Sequence, residues 1–141
     1  MPYFFSTQQV SSIVGCSAAE LALCSRQHLI PGPVDMKLAL WSARNVISAY
    51  TAVQLSTAHS SGGLTIERAR LLARRADGLL RDIDDAFLAH RTFTLLLSGT
   101  RVNILVEGEI NRETPGYIKV STRSVVDGMR AALEQELAAV V

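Results

Sequence analysis

Two helical stretches near the start of the chain are joined only by the tripeptide "GCS". Ser6 is followed three residues later by Gln9, which is the spacing of a capping box at the start of a helix. Gly15 is suited to end that helix, because glycine adopts a left-handed backbone without steric cost. Ser17 is suited to cap a second helix that reaches about Gln27. Two helices joined by so short a turn predict a helix-turn-helix.

The segment after these helices contains strong breaks. The run "LIPGP" cannot continue a helix, because each proline lacks an amide donor and restrains the residue before it. The run "MKLALW", residues 36–41, alternates weakly and predicts a short strand or the arm of a wing. Ser42 is placed to cap a third helix that reaches about His59. The run "SSGG" that follows predicts a boundary between a domain over 1–62 and a second over 63–141.

The longest predicted helix begins at the capping residue Thr65 and reaches about His90. Its apolar residues recur at alternating steps of three and four, which is the pattern of a coiled-coil seam. The seam consists of Ile66, Ala69, Ala73, Ala76, Leu80, Ile83 and Phe87. This pattern predicts a homodimer. The alternative is that the helix packs on the strands that follow it in the same chain, and three further leucines (Leu71, Leu72 and Leu79) allow both.

The remainder of the chain changes character. The runs "TFTLLLSG" and "RVNILVEGEI" are rich in β-forming residues and predict a hairpin around Gly99. "YIKV" predicts a third short strand, and the stretch from Ser121 onward predicts an amphipathic closing helix. The predicted fold class is therefore mainly helical α+β: a winged helix-turn-helix, a long dimerisation helix and a small C-terminal lobe of hairpin and helix.

Composition narrows the function classes. The chain of 141 residues has 14 Lys and Arg against 13 Asp and Glu, so it has no basic excess of the kind that many nucleic-acid binders carry. No apolar run approaches the roughly 18 residues that a membrane span needs. The two cysteines indicate a reducing compartment, so we expect a cytoplasmic protein. Without a phosphate loop, nucleophile elbow or zinc-ligand pair, the sequence predicts no enzyme, no cofactor and no metal site.

The order of these features resembles the MerR family of transcription regulators over about residues 3–76. The resemblance lies in "STQQVSSIVGCSAAELALCSRQHLIP", in "LWSARNV" and in "GGLTIERARLLAR", and it depends on spacing more than on identical residues. The family's Leu-Arg-Tyr-Tyr becomes Leu21-Ala22-Leu23-Cys24 here, and His28 stands where the family has glycine. The resemblance implies a dimeric transcription regulator that reads a pseudo-palindromic site in double-stranded DNA.

The second helix supplies the candidate DNA contacts. We expect Ser17, Ala18 and Glu20 to face base edges in the major groove. Arg26, Lys37 and Arg44 would then hold phosphates. A further basic set on the long helix (Arg68, Arg70, Arg74 and Arg75) is interpreted as a solvated face, because acidic residues follow it closely.

A different class of function also fits the sequence. The predicted recognition helix carries no cation from Ser17 to Cys24, so its apolar "ALCS" face could contact protein instead. The chain would then be an adaptor or an antitoxin-like partner built on a helix-turn-helix scaffold. In the transcription-regulator class, the C-terminal lobe would dimerise, bind a ligand or contact the transcription machinery, and the sequence does not choose among these roles. Salt dependence separates the classes, because phosphate contacts weaken steeply as salt rises and an apolar interface does not.

Overall fold

The structure is a computed structural model that describes residues 4–30, 40–106 and 118–140. The helices are α1 (Thr7–Val14), α2 (Ala18–Arg26), α3 (Ala43–Ser60), α4 (Ile66–Arg81), α5 (Asp85–His90) and α6 (Arg123–Val140). The strands are β1 (Phe4–Ser6), β2 (Leu40–Ser42), β3 (Phe93–Ser98), β4 (Arg101–Val106) and β5 (Ile118–Ser121). Helices predominate and the sheets are small and antiparallel, so the predicted α+β class is confirmed.

Local capping chemistry sets the first helices as the sequence predicts. The Ser6 side chain accepts a hydrogen bond from the Gln9 amide, and the Gln9 side chain accepts one from the Ser6 amide. Gly15 ends α1 with a left-handed φ of 78°. Ser17 caps α2 and Ser42 caps α3, each through a capping box of the same kind. The turn between α1 and α2 is therefore fixed at both of its ends.

A two-stranded ribbon flanks these helices. β1, which the sequence pattern did not predict, pairs antiparallel with β2 and places Phe5 opposite Trp41. Both of these side chains are buried, and the Trp41 indole donates a hydrogen bond to the Thr7 hydroxyl at 3.1 Å. Of the strand predicted over 36–41, residues 36–39 lie outside the described residues, as does Lys37.

The prediction of a single helix over residues 65–90 is wrong. Thr65 caps α4 as expected, but α4 ends at Arg81 and α5 begins at Asp85. The Asp84 side chain accepts a hydrogen bond from the Ala86 amide at 2.9 Å and so starts a new helix. Short acidic side chains compete for backbone amides in this way, and here they override the apolar heptad pattern.

Helix α3 lies at the centre of the hydrophobic core. It contacts α2, α4, α5 and α6, and most of its residues are buried. The buried apolar residues form one cluster with members on both sides of the predicted boundary at residue 62. Helix α1 in the first predicted domain packs on α6 in the second. The two helices are so close that a Cβ atom on Gly128 would lie 3.1 Å from Ile13 Cγ2.

The second sheet has the strand order β4-β3-β5, with both pairings antiparallel. Alternate residues of β3 (Phe93, Leu95 and Leu97) are buried, which is the pattern of a strand with one face on the core. The hairpin between β3 and β4 turns at Gly99, where φ is 59°, as the sequence predicts.

Candidate nucleic-acid interface

Helix α2 buries only a narrow stripe. Leu21 and Cys24 face the core. The exposed residues of α2 are Ala18, Ala19, Glu20, Ala22, Leu23, Ser25 and Arg26. Its outward face is thus made of small and apolar side chains, with Glu20 near one end and Arg26 at the other.

Two of the predicted base contacts already have hydrogen-bond partners within the cap. Ser17 Oγ accepts from the Glu20 amide at 3.1 Å, and Glu20 Oε1 accepts from the Ser17 amide at 3.4 Å. Both residues remain exposed. A base or phosphate that approaches this end would exchange hydrogen bonds with the cap, whereas Ala18 offers a methyl group without such competition.

An open groove runs between α1 and the start of α2. It encloses about 730 Å³. Its lining consists of Thr7, Gln8, Ser11, Ser12, Gly15, Cys16, Ser17, Ala18 and Glu20. Hydroxyl and amide groups of this kind bind phosphate oxygens in protein–DNA complexes. The sequence interpretation missed Gln8 and Ser12, although their spacing of four residues places them on one face of α1.

The predicted phosphate contacts have different fates. Arg26 is exposed in the last turn of α2, as expected. Arg44 is only half-exposed, and its Nε lies 3.7 Å from Asp77 Oδ1 in an ion pair. The phosphate contact of Arg44 stays a prediction, and a phosphate would have to compete there with the Asp77 carboxylate for the guanidinium. Lys37 lies outside the described residues.

Asp77 is a buried charge that several polar side chains contact. Its carboxylate is buried and accepts a hydrogen bond from Ser48 Oγ at 3.0 Å. Arg81, which is mostly exposed, adds a second ion pair at 3.4 Å. A buried carboxylate needs such partners to offset its lost hydration.

Two cations of α4 lie beside the C-terminal end of α2. Arg70 donates a hydrogen bond from Nε to the main-chain oxygen of Gln27 at 2.7 Å. Arg74 lines a groove together with His28, which directly follows the end of α2. The sequence could not place these residues together, since 43 positions separate Arg70 from Gln27. By contrast, Arg75 donates to the main-chain oxygen of Thr100 at the β3–β4 turn.

The residues predicted for a coiled-coil seam do not form one exposed stripe. Four of them, Ala69, Ala73, Ala76 and Leu80, are buried within the chain, and α4 packs chiefly on α3 and also on β4. Ile66 and Ile83 are half-buried, and Phe87 is exposed on the separate helix α5. A continuous seam of all seven residues is therefore not presented to a partner.

The two cysteines lie close to the same helix. Burial raises the pKa of Cys24, which the Ser56 hydroxyl partly offsets, and burial also raises the pKa of Cys16. Glu20 adds to both shifts by charge repulsion. Because the thiolate is the reactive form, neither thiol is activated as a nucleophile.

Comparison of the chain with family models, curated proteins and solved structures found no match. The assignment to the MerR family therefore stays a prediction. Among the helices that the structure describes, none combines the length and the apolar character that crossing a membrane requires.

Proposed function

We propose that this protein binds double-stranded DNA, with α2 in the major groove. One observation carries the proposal: the exposed face of α2 lies between a groove at its start, lined mainly by hydroxyl and amide groups with one carboxylate (Glu20), and three arginines at its end. These arginines are Arg26 on α2 itself and Arg70 and Arg74 on α4. A helix with phosphate-binding groups at both ends is suited to dock between the two strands of a duplex.

The outward face of α2 favours close contact. Ala18, Ala19 and Ala22 are small and exposed, so the helix backbone can approach the base edges, and their methyl groups suit the methyl group of thymine. Because few cations are present, the affinity must depend strongly on each of them. Every phosphate contact contributes about 0.9 to the slope of log K against log salt.

The resemblance to the MerR family extends this proposal to transcription regulation by a cytoplasmic homodimer. A pseudo-palindromic operator needs two copies of α2 related by a two-fold axis. Since the predicted seam is largely buried in the chain itself, the dimer must use other surfaces, and Phe87 is the one seam residue with a large exposed area.

Selection of duplexes from a random pool at physiological salt tests the proposal. We expect enrichment of a defined sequence, and an inverted repeat if the protein binds as a dimer. Arg26→Gln should weaken binding of the enriched duplex and lower the salt slope by about 1. Arg101→Gln is the matched control, because it removes the same charge at the β3–β4 hairpin, on a different element. Absence of enrichment would contradict DNA binding, and equal affinity of the two variants for an enriched duplex would contradict the assignment of α2 as the helix that contacts it.

A protein-interaction role is the second candidate, and one observation favours it. Leu23 is 42% exposed in the middle of α2, and the neighbouring exposed residues Ala19 and Ala22 extend an apolar surface around it. If this surface binds protein, no duplex is enriched and Leu23→Asp removes the partner from purified complexes. Those complexes should also survive high salt, because burial of apolar surface is not screened.

A further inference from the structure

A second groove lies between the end of α2 and helix α4. It encloses about 280 Å³. Its lining consists of His28, Leu29 and Ile30 on one side and Ala73, Arg74, Asp77, Gly78 and Arg81 on the other. One wall thus follows directly on α2, and the other belongs to the helix that packs on the core.

The groove is basic in spite of Asp77. Arg74 and Arg81 are seven residues apart, so they lie on the same face of α4 about 10 Å apart along its axis. The Asp77 carboxylate already pairs with Arg81 and Arg44. The groove lining therefore carries two arginines, Arg74 and Arg81, against the single carboxylate of Asp77, which leaves one positive charge in excess. Guanidinium groups bind phosphate through two parallel hydrogen bonds, which makes arginine the preferred ligand for that group.

Gly78 lies between these two arginines in the sequence of α4 and lines the groove. Glycine is unfavourable in a helix interior. A Cβ atom at this position would meet no heavy atom within 4 Å, and the helical backbone does not require glycine here. Neither packing nor backbone conformation explains the residue, whereas a ligand that occupies the groove would.

We propose that this groove binds a single phosphate group between Arg74 and Arg81, with Leu29, Ile30 and Ala73 as its apolar wall. Two sources supply this chemistry: the backbone of bound DNA or a free phosphate-bearing molecule. The first rests on the proposed function, and the second is independent of it. In both cases the ligand contacts the end of α2 and helix α4 at once.

The first experiment titrates the protein with inorganic phosphate, with chloride at matched ionic strength as the reference. The Gly78 amide and the Arg74 Nε resonances report binding by NMR. We expect saturable shifts in the wild type and in Arg68→Gln, a control that removes an exposed charge of α4 outside the groove. Arg74→Gln should weaken binding about tenfold, as expected for loss of a charged hydrogen bond.

A second pair of variants separates charge from space. Gly78→Glu places a carboxylate in the groove and should abolish phosphate binding, whereas Gly78→Gln adds nearly the same volume without charge and should weaken it less. Both substitutions replace glycine in a helix with a better helix former, so circular dichroism should show a folded protein.

The DNA source is tested with the enriched duplex. If inorganic phosphate does not saturate but Arg74→Gln lowers the salt slope by about 1 relative to Arg68→Gln, the groove binds the DNA backbone. The proposal is overturned if Arg74→Gln leaves the NMR shifts induced by inorganic phosphate unchanged. It is also overturned if inorganic phosphate causes no saturable shifts and Arg74→Gln does not change the salt slope of duplex binding. A duplex that depends on Arg26 but not on Arg74, together with no saturable binding of inorganic phosphate, would uphold the proposed function and overturn this site alone.

Discussion

Arg70 of α4 holds the C-terminal end of α2 through a hydrogen bond from its Nε to the Gln27 main-chain oxygen at 2.7 Å. The Gln27 side chain is held as well, because its Oε1 accepts a hydrogen bond from Ser56 Oγ of α3 at 3.2 Å. The last carbonyls of a helix have no partner within it, so external donors of this kind complete the helix end. The orientation of α2 is thus set by two helices that lie far from it in the sequence.

Arg70→Met should therefore uncouple α2 from α4. We expect the free energy of unfolding in urea to fall by about 1 to 2 kcal/mol, the range for a lost charged hydrogen bond at a partly exposed site. Affinity for the enriched duplex should fall further than in Arg68→Met, which removes the same charge from an exposed position with no role at Gln27. Equal losses in the two variants would show that the contact does not position α2.

Asp77→Asn should destabilise the fold through the buried ion pairs. The amide cannot balance Arg44 and Arg81, so we expect the free energy of unfolding to fall by about 2 kcal/mol. Asp82→Asn is the control, since Asp82 is exposed and its change should stay within about 0.5 kcal/mol. Urea denaturation measures both, and a result for Asp77→Asn as small as the control would refute this account.

Substitutions of His28 measure the free-energy cost of its backbone conformation. Its φ of 61° is in the left-handed region, which favours glycine and is unfavourable for β-branched residues. We expect His28→Gly to raise the free energy of unfolding by about 1 kcal/mol and His28→Val to lower it by a similar amount. Thermal unfolding checks the order Gly, His, Val, and any other order would mean that side-chain contacts of His28 outweigh the backbone.

The cysteines predict a dependence on pH. Burial raises the pKa of both thiols in the folded state, so their contribution to stability is present below the unfolded pKa and is lost as pH rises through the folded pKa. The free energy of unfolding should fall above about pH 8.5. Single-thiol variants Cys16→Ser and Cys24→Ser should both react with a disulfide reagent more slowly in native buffer than in urea. In native buffer, Cys24, which is the thiol that remains in Cys16→Ser, should react more slowly than Cys16, because Cys24 is buried. Faster reaction of Cys24 than of Cys16 would contradict this burial.

Local features of the fold could be predicted from the sequence, because they depend on residues a few positions apart. The caps at Ser6, Ser17 and Ser42, the left-handed Gly15 and the turn at Gly99 all follow from side-chain and backbone chemistry within one turn. The same local chemistry explains the error at Asp84. The apolar heptads continue through residues 82–84, but a capping carboxylate starts a new helix there.

The candidate site could not be assembled in this way. Arg44 carries the same charge as Arg26, and only the fold shows that Asp77, which is 33 positions away, holds it. The sequence predicts that Arg70 and Arg74 belong to a solvated face, because an acidic run follows them. Arg74 is exposed, but the fold also places both arginines beside the end of α2, and such long-range neighbours leave no periodic signal in the sequence.

The packing of α1 on α6 has a consequence for synthesis. α1 is translated before α6, because Gly128, on which Ile13 packs, follows Ile13 by more than a hundred residues. Until then, the apolar side of α1 that α6 covers is exposed to water. The pair of helices α1 and α2 therefore completes its packing only after translation of α6, and a fragment that ends at the boundary predicted near residue 62 should not be stable on its own. Conversely, a change that loosens the packing of α6 alters the position of α1, and with it the candidate DNA-binding surface, without first disturbing the core around α3.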